Sequence, residues 1–126
     1  MEIKPYNRLD YWELCSWWAG HGWMAPDQDM LPEHGFIINN ICAGFLYKTD
    51  SKIAWLEFII SNPRSEKLER NKALDLLIEQ LYSRAKELGF KAIFTSATHK
   101  GLIERYKDHG FVVTDTSMTN LVKRID

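Results

Sequence analysis

The sequence predicts an α+β fold (α/β/α): a mixed, mostly antiparallel central sheet with helices on both faces. Three observations carry this reading. A block rich in β-branched and aromatic residues runs from Phe36 to Ile60, a long helical stripe follows it, and a further strand and helix come after. A meander followed by strand, helix and strand requires the long helix to cross back over the sheet, and such crossovers are right-handed.

Ile3 to Tyr6 reads as a short first strand. Asn7 and Asp10, each followed three residues later by an acid, offer helix starts, and Tyr11, Leu14, Cys15 and Trp18 continue at helical spacing up to Gly20 or Gly22. His21 to His34, with Gly22, Pro26 and Pro32, reads as loop or a very short helix. Phe36–Ile38, Ile41–Tyr47 and Ile53–Ile60 form the meander, parted by Asn39–Asn40 and by Thr49–Lys52. Beyond Pro63, the stripe Leu74, Leu77, Ile78, Leu81, Ala85 and Leu88 predicts a helix over 67–88 that stops at Gly89. Lys91–Ser96 is apolar enough for a buried strand. His99 to His109 is a shorter helix closed by Gly110, and Phe111–Val113 with Met118–Val122 supply final strand material.

At 126 residues the chain fits a single domain, residues 1–126, without linker, repeat or low-complexity tract. Sixteen Lys plus Arg against seventeen Asp plus Glu leave a formal charge of −1, which gives no field to hold a polyanion, so nucleic acid is not an expected partner. The longest apolar stretch, Ile53 to Ile60, is interrupted by Glu57 and is too short to span a membrane. Met1 to Pro5 opens no secretory signal, which predicts a reducing cytoplasm and free thiols at Cys15 and Cys42. His21, His34 and His109 lack ligand spacing, so no metal is expected. Gly20-His21-Gly22-Trp23-Met24-Ala25 fits a dinucleotide pattern formally but follows a helix, not a strand, and is rejected.

The junction from Phe58 to Leu76 joins the carboxyl end of a strand to a helix N-terminus, a place suited to an anionic group. Arg64, Lys67, Arg70 and Lys72 could surround one, or they could balance Glu66 and Glu69 on a solvated helix start. Downstream stand His99, then Tyr106 seven residues later, then Gly110-Phe111. The span from Trp55 to Phe111 resembles the core of the Gcn5-related N-acetyltransferases, and the short chain resembles their small, phage-encoded members. That family has a pyrophosphate loop of the form R/Q-x-x-G-x-G/A, to which Arg70-Asn71-Lys72-Ala73-Leu74-Asp75 corresponds, with Ala73 and Asp75 at the glycine positions. It also has an Asn, a Tyr seven residues on and Gly-Phe, so His99 stands where the family has Asn.

The resemblance implies an acyl-CoA N-acyltransferase-like fold and acetyl-CoA as co-substrate, with acetyl transfer to a primary amine by direct attack in a ternary complex. It implies that the pantetheine arm lies along Phe58, Ile59, Ile60 and Ser61 and that Arg70, Asn71, Lys72 and Ala73 hold the pyrophosphate; His99 is the candidate cofactor contact, with a helix cap or an exposed side chain as the alternatives. Tyr106 becomes the general acid; as a residue, it fits a helix-face Tyr packed on the sheet equally well. Glu57, a carboxylate in an apolar strand, is the candidate base, with a solvent-facing side chain or a water relay as the alternatives. The acceptor is a small-molecule or peptide amine, and homodimerisation through the final strands is allowed. Asp75 opposes a pyrophosphate by like-charge repulsion unless it points away or pairs. The rival expectation is therefore an inactive relative acting as a protein-binding module. Its surface would be the N-terminal region holding Trp12, Trp17, Trp18 and Trp23, which serve otherwise as core or as a wall over the acceptor.

Overall fold

Asn39 and Asn40 take positive φ, 49° and 55°, and the Ile41 amide donates to the Ile38 carbonyl at 2.8 Å. This primed turn suits the twist of a hairpin and joins β2 (Gly35–Ile38) to β3 (Cys42–Tyr47). β1 (Ile3–Pro5) pairs with β2, and β3 pairs with the long β4 (Ile53–Ser61), all antiparallel. β5 (Ala92–Phe94) adds to β4 in parallel, so the five-stranded sheet has the order β1-β2-β3-β4-β5. The computed structural model describes residues 1–126, in two compact units, Met1–Ser96 and Ala97–Asp126. The sheet belongs to the first unit.

Register fixes what each face buries. Ile37 opposes Ala43, and these side chains join Phe45 and Ile60 in a buried cluster with Leu14, Trp17 and Trp18 of α1 (Tyr11–Gly20). The alternate residues face the other way. There Phe36 opposes Gly44, the Arg84 guanidinium stands 5.1 Å over the Phe36 ring, and α2 (Lys67–Glu87) packs down. Gly44 allows that approach: a Cβ on it would stand 3.1 Å from Leu77 and 3.2 Å from Leu81. The two helices thus cover opposite faces, as the sequence predicts.

A capping box at Asn7 and Asp10 starts the turn leading into α1. At the far end of α2, Gly89 has φ 85°; its amide reaches the Lys86 carbonyl and that of Phe90 reaches Ala85, a Schellman stop. In the second unit α3 (Lys100–Asp108) ends identically. Gly110 has φ 90°, and the amides of Gly110 and Phe111 donate to Lys107 and Tyr106.

Two expectations need correction. Phe111–Val113 and Met118–Val122 form no strand, and Val112, Met118, Leu121 and Val122 are exposed. The polar run Thr114–Ser117 separates them, Ser117 has φ 59°, and short apolar groups without a strand partner have nothing to extend against. The strands through which two copies would pair are therefore not formed. β5 is also shorter than Lys91–Ser96 and half open, with Ala92 and Phe94 exposed.

Candidate functional site

β4 does two jobs along its length. From Ile53 to Trp55 it pairs with β5, and the Thr95 hydroxyl then donates to the Leu56 carbonyl at 2.7 Å. Past that point β5 no longer accompanies it. Opposite, the ladder with β3 slips between Ala43 and Phe45: Phe45 faces Glu57, whereas Ala43 faces Ile60. Three steps on β4 against two on β3 make a bulge, and Phe58 carries it at φ 56°. A bulky residue in the left-handed region is strained, and such strain persists where the surroundings over-determine it. Here the Phe58 ring lies 6.4 Å from Trp18 and 6.3 Å from Tyr47.

The outer edge of Phe58–Ser61 thus presents backbone groups that no strand of the first unit pairs. Asn62 donates to the Ile41 carbonyl on the β3 side, so the preceding Ser61 faces the outer side. Its carbonyl meets His21 Nε2 at 2.9 Å; a carbonyl can only accept, so that nitrogen carries a hydrogen. The imidazole stacks on Trp23 with centroids 4.6 Å apart.

A tight turn links β4 to α2. Asn62 Oδ1 accepts from the Arg64 amide, and the Asn62 carbonyl accepts from both the amide and hydroxyl of Ser65. Gly20 closes over it, since a Cβ there would lie 2.5 Å from Pro63 Cγ. α2 begins at Lys67 with Glu66 as N-cap and no side-chain cap bond, so the amides of Lys67, Leu68 and Glu69 lie outside the helical ladder. The Arg70 amide already donates to the Glu66 carbonyl at 2.8 Å. Arg70, Asn71, Lys72 and Ala73, expected to act as a phosphate loop, are therefore inside the helix. Their amides belong to its ladder, and Ala73 is buried. The open amides sit three residues earlier. Among the basic side chains, Arg70 Nη1 donates to the Ser65 carbonyl at 3.2 Å, bracing the turn, and Lys72 lies 4.0 Å from Glu69.

Glu57 lies on the same sheet face as Phe45 and is half-buried. Burial pushes its carboxyl above the ordinary glutamate value. Tyr47 answers it: burial first, then the Glu57 charge, pushes its hydroxyl up to about 12, and it donates to the Met30 carbonyl at 2.6 Å. In the second unit, Tyr106 is buried and its ring lies 4.9 Å from that of Phe111. His99 occupies the N-cap of α3, exposed and without a side-chain cap bond.

No protein-family model matches the chain, and no curated protein sequence matches it. Solved structures do. Rv2747 from Mycobacterium tuberculosis, in complex with CoA and NLQ, superimposes with a TM-score of 0.75 at 11% identity over 94% of this chain and 76% of that one. The Trypanosoma brucei acetyltransferase Tb11.01.2886 gives 0.70 at 14% identity over 96% and 99%. Glucosamine-6-phosphate N-acetyltransferase from Arabidopsis thaliana gives 0.67 at 10% over 97% and 98%. The chain has the Gcn5-related acetyltransferase fold.

Within that fold the tryptophans divide. Trp17 and Trp18 are core, whereas Trp12 and Trp23 are exposed, so the N-terminal aromatics do not form one surface. Strand alternation sets Trp55 on the Glu57 face; sequence reasoning did not add Tyr47 or Phe94 to that face, which needs the cross-strand register, and nothing local marks a His21 contact forty residues away. A cavity of about 510 Å³ between Tyr6, Arg8, Gln28, Asp29, Leu31 and Glu33 contains none of the predicted catalytic or cofactor residues.

Proposed function

We propose that the protein is an acetyl-CoA-dependent N-acetyltransferase acting on a primary amine. The observation that carries this is the outer edge of β4 at the Phe58 bulge, which no strand of the first unit pairs and whose Ser61 carbonyl meets His21, leading into the start of α2, which has no side-chain cap. An extended, amide-bearing arm can add to such an edge as a strand would, and the three open amides of Lys67–Glu69 suit an anion. Arg64 and Lys67 supply charge beside them. The likeness in fold to acetyltransferases, one of them in complex with CoA, supports chemistry over the rival binding-module reading.

Acetyl-CoA, when bound, supplies the activated acetyl group. Glu57 takes the proton from the acceptor ammonium, which frees the nitrogen lone pair to form the C–N bond as the C–S bond breaks. An edge amide of Phe58–Ser61 polarises the carbonyl oxygen. Tyr106 keeps the role that the Gly-Phe motif implies and delivers a proton to sulfur, its own proton being replaced by the second one that the nitrogen sheds as the amide forms; His99 keeps a cofactor contact. Arg70 acts by bracing the turn, with Asn71, Lys72 and Ala73 as part of the helix beneath it.

The test is a thermal titration. A ligand that binds the native state a hundredfold above its Kd stabilises it by about 2.7 kcal/mol, so acetyl-CoA should raise Tm by several degrees. Tyr106→Phe should retain that shift and lose most of kcat. No shift at millimolar acetyl-CoA contradicts the proposal, and an unchanged kcat removes Tyr106 from the mechanism.

A further inference from the structure

One row of side chains crosses three neighbouring strands of the sheet. Tyr47 on β3 opposes Trp55 on β4, and Trp55 is registered with Phe94 on β5. All three lie on the sheet face that carries Phe45 and Glu57. The Trp55 and Phe94 rings are 5.3 Å apart, and the two residues are 37% and 44% exposed. Phe58, 40% exposed, joins through Tyr47. Tyr47 packs against the core cluster and Phe58 touches its Trp18, whereas Trp55 and Phe94 are large aromatics left open. The next residue along β4 on this face is Glu57, about 7 Å away at two strand steps.

We propose that this row and Glu57 form the acceptor subsite and select a primary arylalkylamine: a flat apolar ring joined to an ammonium by a short alkyl tether. The inference rests on the transferase reading above and adds the acceptor's chemical class. Charge complementarity commits the occupant. Glu57 is the one carboxylate beside this row, with Phe45 opposite it on β3 and Trp55 two residues back on the same face, so one cation fits better than several. The row is poor in polar groups for sugar hydroxyls: its one hydroxyl, on Tyr47, already gives its hydrogen to the Met30 carbonyl and keeps only acceptor capacity. A hydroxylated amine would bury unpaired donors there, and a polyamine would place its second charge against rings. An aromatic ring can stack on Trp55 and Phe94 with its ammonium toward Glu57.

The test follows thiol release from acetyl-CoA with 2-phenylethylamine, glucosamine and spermidine, on the full chain, beside the thermal titration with acetyl-CoA alone. The expected result is a kcat/KM for 2-phenylethylamine at least about tenfold above the other two, the scale on which one apolar contact discriminates. Trp55→Ala should raise KM for that amine about tenfold more than it lowers kcat, and Trp55→Phe should recover most of the loss. Preference for glucosamine or spermidine, or a KM indifferent to Trp55→Ala, overturns the inference while an acetyl-CoA thermal shift leaves the transferase reading standing. Absence of that shift overturns both.

Discussion

Glu57→Gln is expected to lower kcat by roughly 10²–10⁴-fold, the usual worth of a positioned general base, while the chain stays folded. The substitution keeps the shape of a half-buried side chain facing Phe45 across the bulged ladder and removes its proton affinity. A second signature separates a base from a merely structural carboxylate. Burial raises the Glu57 pKa, so the folded chain holds this proton more tightly than the unfolded chain does. The stability this gives is fully present below the ordinary glutamate pKa, and it is lost as pH rises through the raised, folded-state value. The Gln variant has no such loss. Its Tm relative to the parent should climb from acid to neutral pH and then level off, as measured by melting curves across that range. A constant difference would contradict the burial of the charge, and an intact kcat would place the base elsewhere.

The largest stability effect is expected at Trp17. Trp17 is fully buried among Leu14, Ile37, Ala43, Phe45 and Ile60, and its indole N–H donates to Glu13 Oε1 at 3.2 Å. Truncating a buried Trp to Ala costs about 3–5 kcal/mol, against a total of roughly 5–15 kcal/mol for an ordinary domain. Trp17→Ala should therefore leave the chain marginal or unfolded, seen as a large drop in the urea midpoint. Trp12→Ala, five residues earlier on the same helix and 74% exposed, should stay within about 0.5 kcal/mol of the parent. Equal effects at the two positions would contradict the assignment of which α1 face is core.

That pair also shows where sequence reading ends. Trp18 lies on the apolar stripe of α1, but the burial of Trp17 depends on which sheet residues come to meet the helix, and no local pattern states that. The bulge is equally silent, since Phe58 in a run of apolar residues reads as ordinary strand and only the slipped register with β3 exposes its left-handed backbone. By contrast α2 was legible almost to the residue, because its stripe is long and Gly89 supplies the one backbone conformation that a Schellman stop needs. The same chemistry explains part of the motif downstream. Tyr106 and Phe111 are the two positions whose side chains meet when Gly110 ends a helix, so their spacing has a structural cause besides any catalytic one. The open amides of α2 precede the Arg70–Ala73 motif by three residues for a related reason. A motif match locates residue types, whereas the open amides are set by where the helical ladder begins, at Glu66 and Arg70. The final strands failed because apolar residues without a partner edge do not make a sheet.

The coenzyme seat proposed above is the outer edge of β4 with the first turn of α2. Backbone amide chemical shifts, recorded by NMR while CoA is added to the full chain, address this residue by residue. Phe58–Ser61 and Lys67–Glu69 are expected to move together with one saturation curve while the Asn39–Asn40 hairpin turn stays still. Saturable shifts elsewhere with these amides unmoved, or no shifts at millimolar CoA, would contradict it.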